Sequence, residues 1–472
     1  MPHLAILLKT SSCLERVVFL KTSLSLQEEW HCFLDGLRSV LSCEELEQMA
    51  RDHQFIQRKG KLRAHDFVAL CTFLQEGGGQ KSLVQLCSAL ALKQNTSLSA
   101  EGLHQRFNEK AVNFLKALFE KLLIHQTQEA RHFYQRHPLF RRIRILDSTS
   151  FQLPPEIQGI YEGCTGPGVK IQLEYEWLGG KLLHVDVEDA RHHDAAYGAS
   201  LLSTIQEGDL CLKDLGYFSL EGLQAIHDAG AFYISRLKHN VGIYQKEGDR
   251  FRKWEPKDFL AVLQPGETME LEHAYVSGKK VHQPRLMVYR LTEEQERQKE
   301  GQWKQKAKQK GAAYVTRRPH PIYVYITNIP AIYASLHEIH TLYSLRWQIE
   351  VVFKTWKSLF HIHRFKPMKG ARFQCHLYGT LIALLVSSTV MFKMREWLYR
   401  KQKKELSEYK AMSMIKEFGM DLFQALWCSE ASAVQLLFKL CDLIAQHGKK
   451  SRRYTKKSAL GIIESLVIMP VS

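Results

Sequence analysis

The chain has 472 residues, with 65 Lys and Arg against 49 Asp and Glu, a net charge of +16 and a pI near 9.3. That length allows two to four domains. The positive excess attracts polyanions, although charge alone does not separate DNA from RNA or from a membrane surface.

Residues 1–25 are left as an extension of uncertain role. Their apolar run is cut by Lys9 and shows no small-residue cleavage site, so no secretion signal is read. Residues 26–135 read as helical, because apolar side chains recur at three and four in SLQEEWHCFLDGLRSVL, HDFVALCTFL and KSLVQLCSALAL. Gly77, Gly78 and Gly79 divide these helices into two groups. Ser99 is placed to cap a helix that exposes His104, Gln105 and Arg106. These types can contact base edges or phosphate, and a solvated polar face would look the same.

From residue 141 the pattern changes to strands. Ile143, Ile145 and Asp147 alternate with Arg142, Arg144 and Leu146, which predicts a strand with one buried face that ends at Asp147. A hairpin follows in VKIQLEYEW-LGG-KLLHVDVE, then a helix near 195–205. The short strand Leu210–Leu212 runs into Asp214, a Gly-containing turn and a helix from Ser219 to Ala229. A carboxylate at a strand end can leave the core and meet a ligand, although a lone Asp there is also a common turn former. Asp194 and Asp209 are rivals to Asp214. Asp209 precedes its strand and is expected at the opposite end.

After the strand AFYISRLK, the stretch 240–326 carries strand-like pieces, MELEHAYV and RLMVYRL, and the charged run TEEQERQKEGQWKQKAKQKG. The strand IYVYITNIP leads to the segment described below. Downstream, Leu377–Phe392 is short for a membrane span and contains Ser387, Ser388 and Thr389, so it reads as a buried helix. KKSRRYTKK carries six basic residues in nine and suits phosphate contact or disorder. The ten cysteines show no C-x-x-C pair and no zinc spacing, and His192-His193 and His361-x-His363 lack a partner set. Reduced cytosolic thiols are expected.

The segment YSLRWQIEVVFKTWK sets Tyr343, Arg346, Glu350 and Lys357 at spacings of three, four and seven. On one α-helix these four fall within roughly 60° of each other. A carboxylate suits a hard cation such as Mg²⁺, while Arg and Lys suit phosphate, a combination that points to phosphodiester chemistry. Ordinary helix-face pairing of Glu350 with Lys354 and Lys357 is the alternative. Trp347, Ile349, Val351, Val352, Phe353 and Trp356 read as the packed remainder.

These four positions match the Y-(2)-R-(3)-E-(6)-K signature, and the segment resembles that of insertion-sequence-4 type DDE transposases. LDSTSFQLP and KDLGY are similar to that family's first-Asp and second-Asp motifs, with Leu215 where the family usually has Arg. LYSLRWQIEVVFKTWKS and CHLYGTLIALL resemble the insertion-sequence-231 subgroup, and the likeness spans roughly 26–445. It implies an α/β fold: a ribonuclease-H-like catalytic core over 136–239 and 327–372, interrupted by a β-rich insertion at 240–326. A helical DNA-binding domain at 26–135 and a helical carboxy-terminal region at 373–472 flank it. The implied activity is metal-dependent cut-and-paste excision and strand transfer of an insertion sequence with inverted terminal repeats. Asp147, Asp214 and Glu350 would hold two Mg²⁺ ions, with Mn²⁺ able to substitute. Tyr343, Arg346, Lys357, Gln105 and Arg106 would touch double-stranded DNA. A homodimer on paired ends is implied, with a hairpin intermediate helped by an aromatic in the insert, Trp254 or Trp303. The expected setting is the bacterial cytoplasm and nucleoid, without a membrane. A nuclease lacking strand transfer and a non-catalytic DNA-binding descendant are the other readings.

Overall fold

A computed structural model of the chain describes residues 26–58, 60–77, 79–128, 139–238, 240–248, 250–271, 274–276, 284–310, 320–450 and 458–465. The amino-terminal extension, 1–25, and residues 451–457 of the basic tail lie outside them.

The centre is an eight-stranded mixed sheet. It uses β1 (Arg142–Gln152), β2 (Gly168–Glu176), β3 (Lys181–Asp189), β4 (Asp209–Lys213) and β5 (Phe232–Arg236). Short strands β6 (Ile243–Glu247), β7 (Arg250–Trp254), β8 (Thr268–Leu271) and β9 (Ala274–Val276) follow, then β10 (Arg285–Arg290) and β11 (Ile322–Thr327). The order across the main sheet is β3-β2-β1-β4-β5-β11-β10-β8. β4 runs parallel to β1 and β5 parallel to β4, while β2 and β11 are antiparallel to their neighbours.

The expected hairpin forms as β2 and β3. Its turn is held by Glu176, whose buried carboxylate accepts the backbone N–H groups of Leu178 and Gly179 at 2.8 and 2.6 Å. β1 differs from expectation by continuing five residues past Asp147 to Gln152. The antiparallel partner β2 pairs along that whole length, whereas the parallel pairing with β4 stops at Leu146 opposite Lys213. Asp147 therefore leaves the parallel ladder where Asp214 leaves β4.

Both faces of β2, and of β1 as far as Leu146, are buried, not one. Odd positions such as Ile143, Ile145, Ile171, Leu173 and Tyr175 enter the main apolar core. On the opposite face Arg144, Lys170, Gln172 and Glu174 form a polar layer, with Leu146 beside it against Leu201 and Tyr217. There the Arg144 guanidinium meets Glu174 at 2.6 and 2.9 Å and Asp209 at 3.1 Å. Arg142 donates to the same Asp209 at 2.5 and 2.7 Å. Removing one partner from such a buried pair typically costs about 3–5 kcal/mol, because the other charge is left uncompensated. Asp209 is the first residue of β4 and so lies at the far end of that strand from Asp214, the opposite end expected for it.

The Gly370–Gln402 helix runs through the main core, and every residue from Leu377 to Phe392 is buried. By length and composition it could cross a membrane, yet protein surrounds its apolar stretch. The Phe392 ring stacks on Tyr175, and Gly379 lies against the carbonyl of Cys71 in the π-helical turn Leu70–Leu74. A Cβ at Gly379 would come within 1.9 Å of that oxygen, so only glycine permits this approach. Helices of 26–128 and of 408–447 pack around the same core, which makes the flanking helical segments one body with the inner sheet face.

The β-rich stretch 240–326 is not a unit apart. β8 and β10 extend the main sheet beyond β11, and only β6, β7 and β9 form a separate three-stranded sheet. A second core, with Phe218, Tyr233, Phe259 and Val288, fills the space between them. The charged run forms the Glu293–Lys310 helix.

Candidate active site

The site begins with the end of the β1–β4 ladder. Asp147 lies inside β1, and its Oδ1 accepts the backbone N–H of the next residue, Ser148, at 2.8 Å. Asp214 follows the last residue of β4 and begins the 3₁₀ turn Leu215–Tyr217. Adjacent parallel strands thus present both carboxylates at one edge.

The third element differs from the single helix expected. The chain forms an α-helix over Leu336–Tyr343, a 3₁₀ turn over Ser344–Trp347 and a second α-helix over Gln348–Ser358. The tighter turn advances about 120° per residue instead of 100°, which brings Tyr343 into line with Arg346 and leaves Glu350 and Lys357 within roughly 60° of them. Tyr343 is 6% exposed, and its hydroxyl donates to the Lys213 carbonyl at 3.3 Å. Its ring packs edge-on against Tyr325. Tyr343 thus supports the end of β4 beside Asp214.

Arg346 occupies the centre. Its Nη1 donates to Asp147 Oδ2 at 2.8 Å and lies 3.9 Å from Glu350 Oε1, while Nε faces Asp214 Oδ1 at 3.8 Å. Nε is buried and makes no hydrogen bond. Three carboxylates from three distant segments therefore converge on one guanidinium. Asp147 is the most enclosed, with its side chain 15% exposed against 40% for Asp214 and 45% for Glu350. Burial pushes the Asp147 carboxyl up to about 6, against the lowering effect of the Ser148 N–H and Arg346. Burial also works against the Arg346 charge, but Tyr343 and the three carboxylates outweigh it and raise its pKa. Lys357 is half-buried on the Glu350 helix; burial lowers its pKa and Glu350 opposes that.

As placed, no group of three His, Cys, Asp or Glu side chains among the described residues is close enough to hold one ion. Arg346 stands between the carboxylates instead. The donor set is all carboxylate oxygen, which suits a hard divalent cation, and the guanidinium marks where positive charge is wanted. The residues fit such an ion.

The rest of the helix is only partly as expected. Ile349, Phe353 and Trp356 are buried, whereas Trp347 is 60% exposed and Val351 39%. The Arg346 guanidinium lies 5.3 Å from the Trp347 ring centre. An exposed Trp beside a carboxylate cluster is a functional candidate that helical spacing concealed. Gln105 and Arg106 are exposed on the Ala100–Arg106 helix, which Ser99 caps through the Gly102 N–H, and they are not among the Arg346 partners. Asp194 is not in the cluster either; it accepts from Lys170, Gln172 and Ser148. Trp254 stacks on Phe259 and lines a cavity of about 460 Å³ with Arg236, Lys238, Lys253, His320 and Tyr323. Trp303 lies on the Glu293–Lys310 helix.

Residues 138–386 match the family described as Transposase DDE domain. The chain is 38% identical to the transposase for insertion sequence element IS231E of Bacillus thuringiensis subsp. finitimus, over 93% of this chain and 96% of that protein. It is 40% identical to the IS231F transposase of Bacillus thuringiensis subsp. israelensis, with the same coverage. This chain belongs to the DDE transposases. A solved piggyBac transposase, in a synaptic complex with hairpin DNA, shares 10% identity at a TM-score of 0.49, covering 90% of this chain and 86% of that one. As a DDE transposase of the IS231 type, the protein is a DNA-cleaving and strand-transferring enzyme of a family that uses divalent metal ions. The matched region contains Asp147, Asp214, Glu350 and Arg346.

Proposed function

We propose that Asp147, Asp214 and Glu350 are the catalytic carboxylates of this transposase and hold two Mg²⁺ ions, with Mn²⁺ able to substitute. The observation that carries the reading is the meeting of all three at Arg346. Bound ions would activate the attacking water or 3′-hydroxyl and offset charge on the leaving oxygen. The protein's own part is positioning and charge neutralisation of the phosphodiester. Arg346 and Lys357 hold phosphates beside the scissile one, and exposed Trp347 stacks against a base near it. Gln105 and Arg106 read the terminal repeat. The cavity at Trp254, basic and aromatic, takes a nucleotide of the DNA end during a hairpin step.

The order β3-β2-β1-β4-β5, with only β2 reversed against β1 and β4, supports a ribonuclease-H-like core. In this reading 136–239 and 327–372 form that core, with DNA recognition in the amino-terminal helices. The protein works as a homodimer on paired inverted repeats, in the bacterial cytoplasm at the nucleoid, by cut-and-paste excision.

Strand transfer separates this reading from that of a nuclease. Given a pre-cut terminal repeat and target DNA in Mg²⁺, the protein should join the 3′ end to the target. Cleavage of uncut ends with no joined product would overturn the cut-and-paste assignment.

A further inference from the structure

Asp194 lies behind the catalytic edge, one layer into the polar face of the sheet. Side chains of adjacent strand residues point to opposite faces, so Ser148 turns toward that layer while Asp147 faces Arg346. Oδ1 of Asp194 accepts from Ser148 Oγ at 3.2 Å, Lys170 Nζ at 3.0 Å and Gln172 Nε2 at 3.1 Å. Lys170 is fixed in turn by the carbonyl of His192, and the Gln172 amide also donates to Glu188 at 2.8 Å. The remaining Gln172 oxygen accepts from the Tyr217 hydroxyl.

Each branch ends beside a proposed catalytic residue. Ser148 is held through its side chain, and its backbone N–H is the one bonded to Asp147 Oδ1. Tyr217 closes the 3₁₀ turn that Asp214 opens, with its N–H on the Asp214 carbonyl at 3.1 Å. Between them, Gly216 passes so close that a Cβ would be 3.0 Å from Asp194 Oδ2, and Gly198 lets its helix approach the Tyr217 ring. One carboxylate thus ties the residue after the first Asp to the turn after the second.

We infer that Asp194, acting through Ser148 on one side and through Gln172 and Tyr217 on the other, is a positioning residue that sets Asp147 against Asp214. The inference rests on the catalytic reading above. Asp194 is barred from the catalytic role itself by its place on the other face and by the Lys170 ammonium on its oxygen. Partners of metal-holding carboxylates that act from behind typically change metal affinity or activity by about 10–100-fold when removed.

The test uses the full chain bound to oligonucleotides of its own terminal repeat, with Mn²⁺ as the probe. Bound Mn²⁺ is counted by electron paramagnetic resonance, and cleavage is followed separately. Asp194→Asn, Tyr217→Phe and the milder Ser148→Ala should each bind the repeat as the wild type does. Each should need about 10-fold more Mn²⁺ for half-saturation, with cleavage largely restored at high Mn²⁺. Asp209→Asn, at the far end of the same strands, should lower the melting temperature without moving Mn²⁺ half-saturation. If Ser148→Ala and Tyr217→Phe keep wild-type half-saturation, or if Asp209→Asn shifts it as much, the positioning role is wrong. Asp147→Asn separates the two levels: it should abolish Mn²⁺ binding, and wild-type binding by that variant would instead overturn the catalytic reading.

Discussion

Asp147 keeps its charge against its surroundings. Its pKa of about 6 lies above the usual carboxylate value, because burial outweighs the help of Arg346 and the Ser148 N–H. A raised folded-state pKa stabilises the native state below the unfolded value, near 4, and that contribution is lost as pH rises through 6. In metal-free protein, Asp147→Asn should therefore melt higher than wild type above pH 6, by the equivalent of about 1–3 kcal/mol. The gap should close as pH falls toward 4. A gap that is the same at pH 4 and pH 7.5 in thermal melts would mean that Asp147 titrates normally. Cations compete with that proton, so Mn²⁺ affinity should also fall as pH drops through 6. At this scale the sequence identified the residue types but not their arrangement. Spacing does not tell that Tyr343 packs under β4 or that Trp347 is exposed.

At the scale of elements, local signals are legible in the sequence and long-range pairings are not. The β2–β3 hairpin was legible because alternation and a Gly-Gly turn both lie within one short segment. The buried stretch Leu377–Phe392 was legible from composition and its hydroxyl residues, whose Thr389 side chain bonds back to the Leu385 carbonyl. Nothing local marks β8 and β10 as continuing the sheet past β11, since that pairing joins segments separated by a helix. The 3₁₀ turn at Ser344–Trp347 was equally hidden, because its residues also suit an α-helix. Where two elements touch closely, the contact can be tested directly. Gly379→Ala forces a methyl against the Cys71 carbonyl, and backbone on both sides leaves little room to yield. Denaturant titration should show a loss of about 1–3 kcal/mol with helical content retained. Unchanged stability would mean that the two helices do not meet there.

Across the whole molecule, helices from both ends and the inner face of the sheet share one core, with the carboxylate edge built on top of it. That arrangement explains how residues 147, 214 and 350 can meet although 136 positions separate the last two. The parallel β1–β4 ladder fixes the first pair, and packing of the Gln348–Ser358 helix through Ile349, Phe353 and Trp356 sets the third. Glu350→Gln tests the account most directly, because it removes one charge and nearly preserves shape. Paired-end complexes should form with wild-type affinity, while strand cleavage in Mg²⁺ falls by on the order of 10³-fold. Cleavage at near the wild-type rate would contradict the account and leave the three carboxylates as surface charges gathered around an arginine.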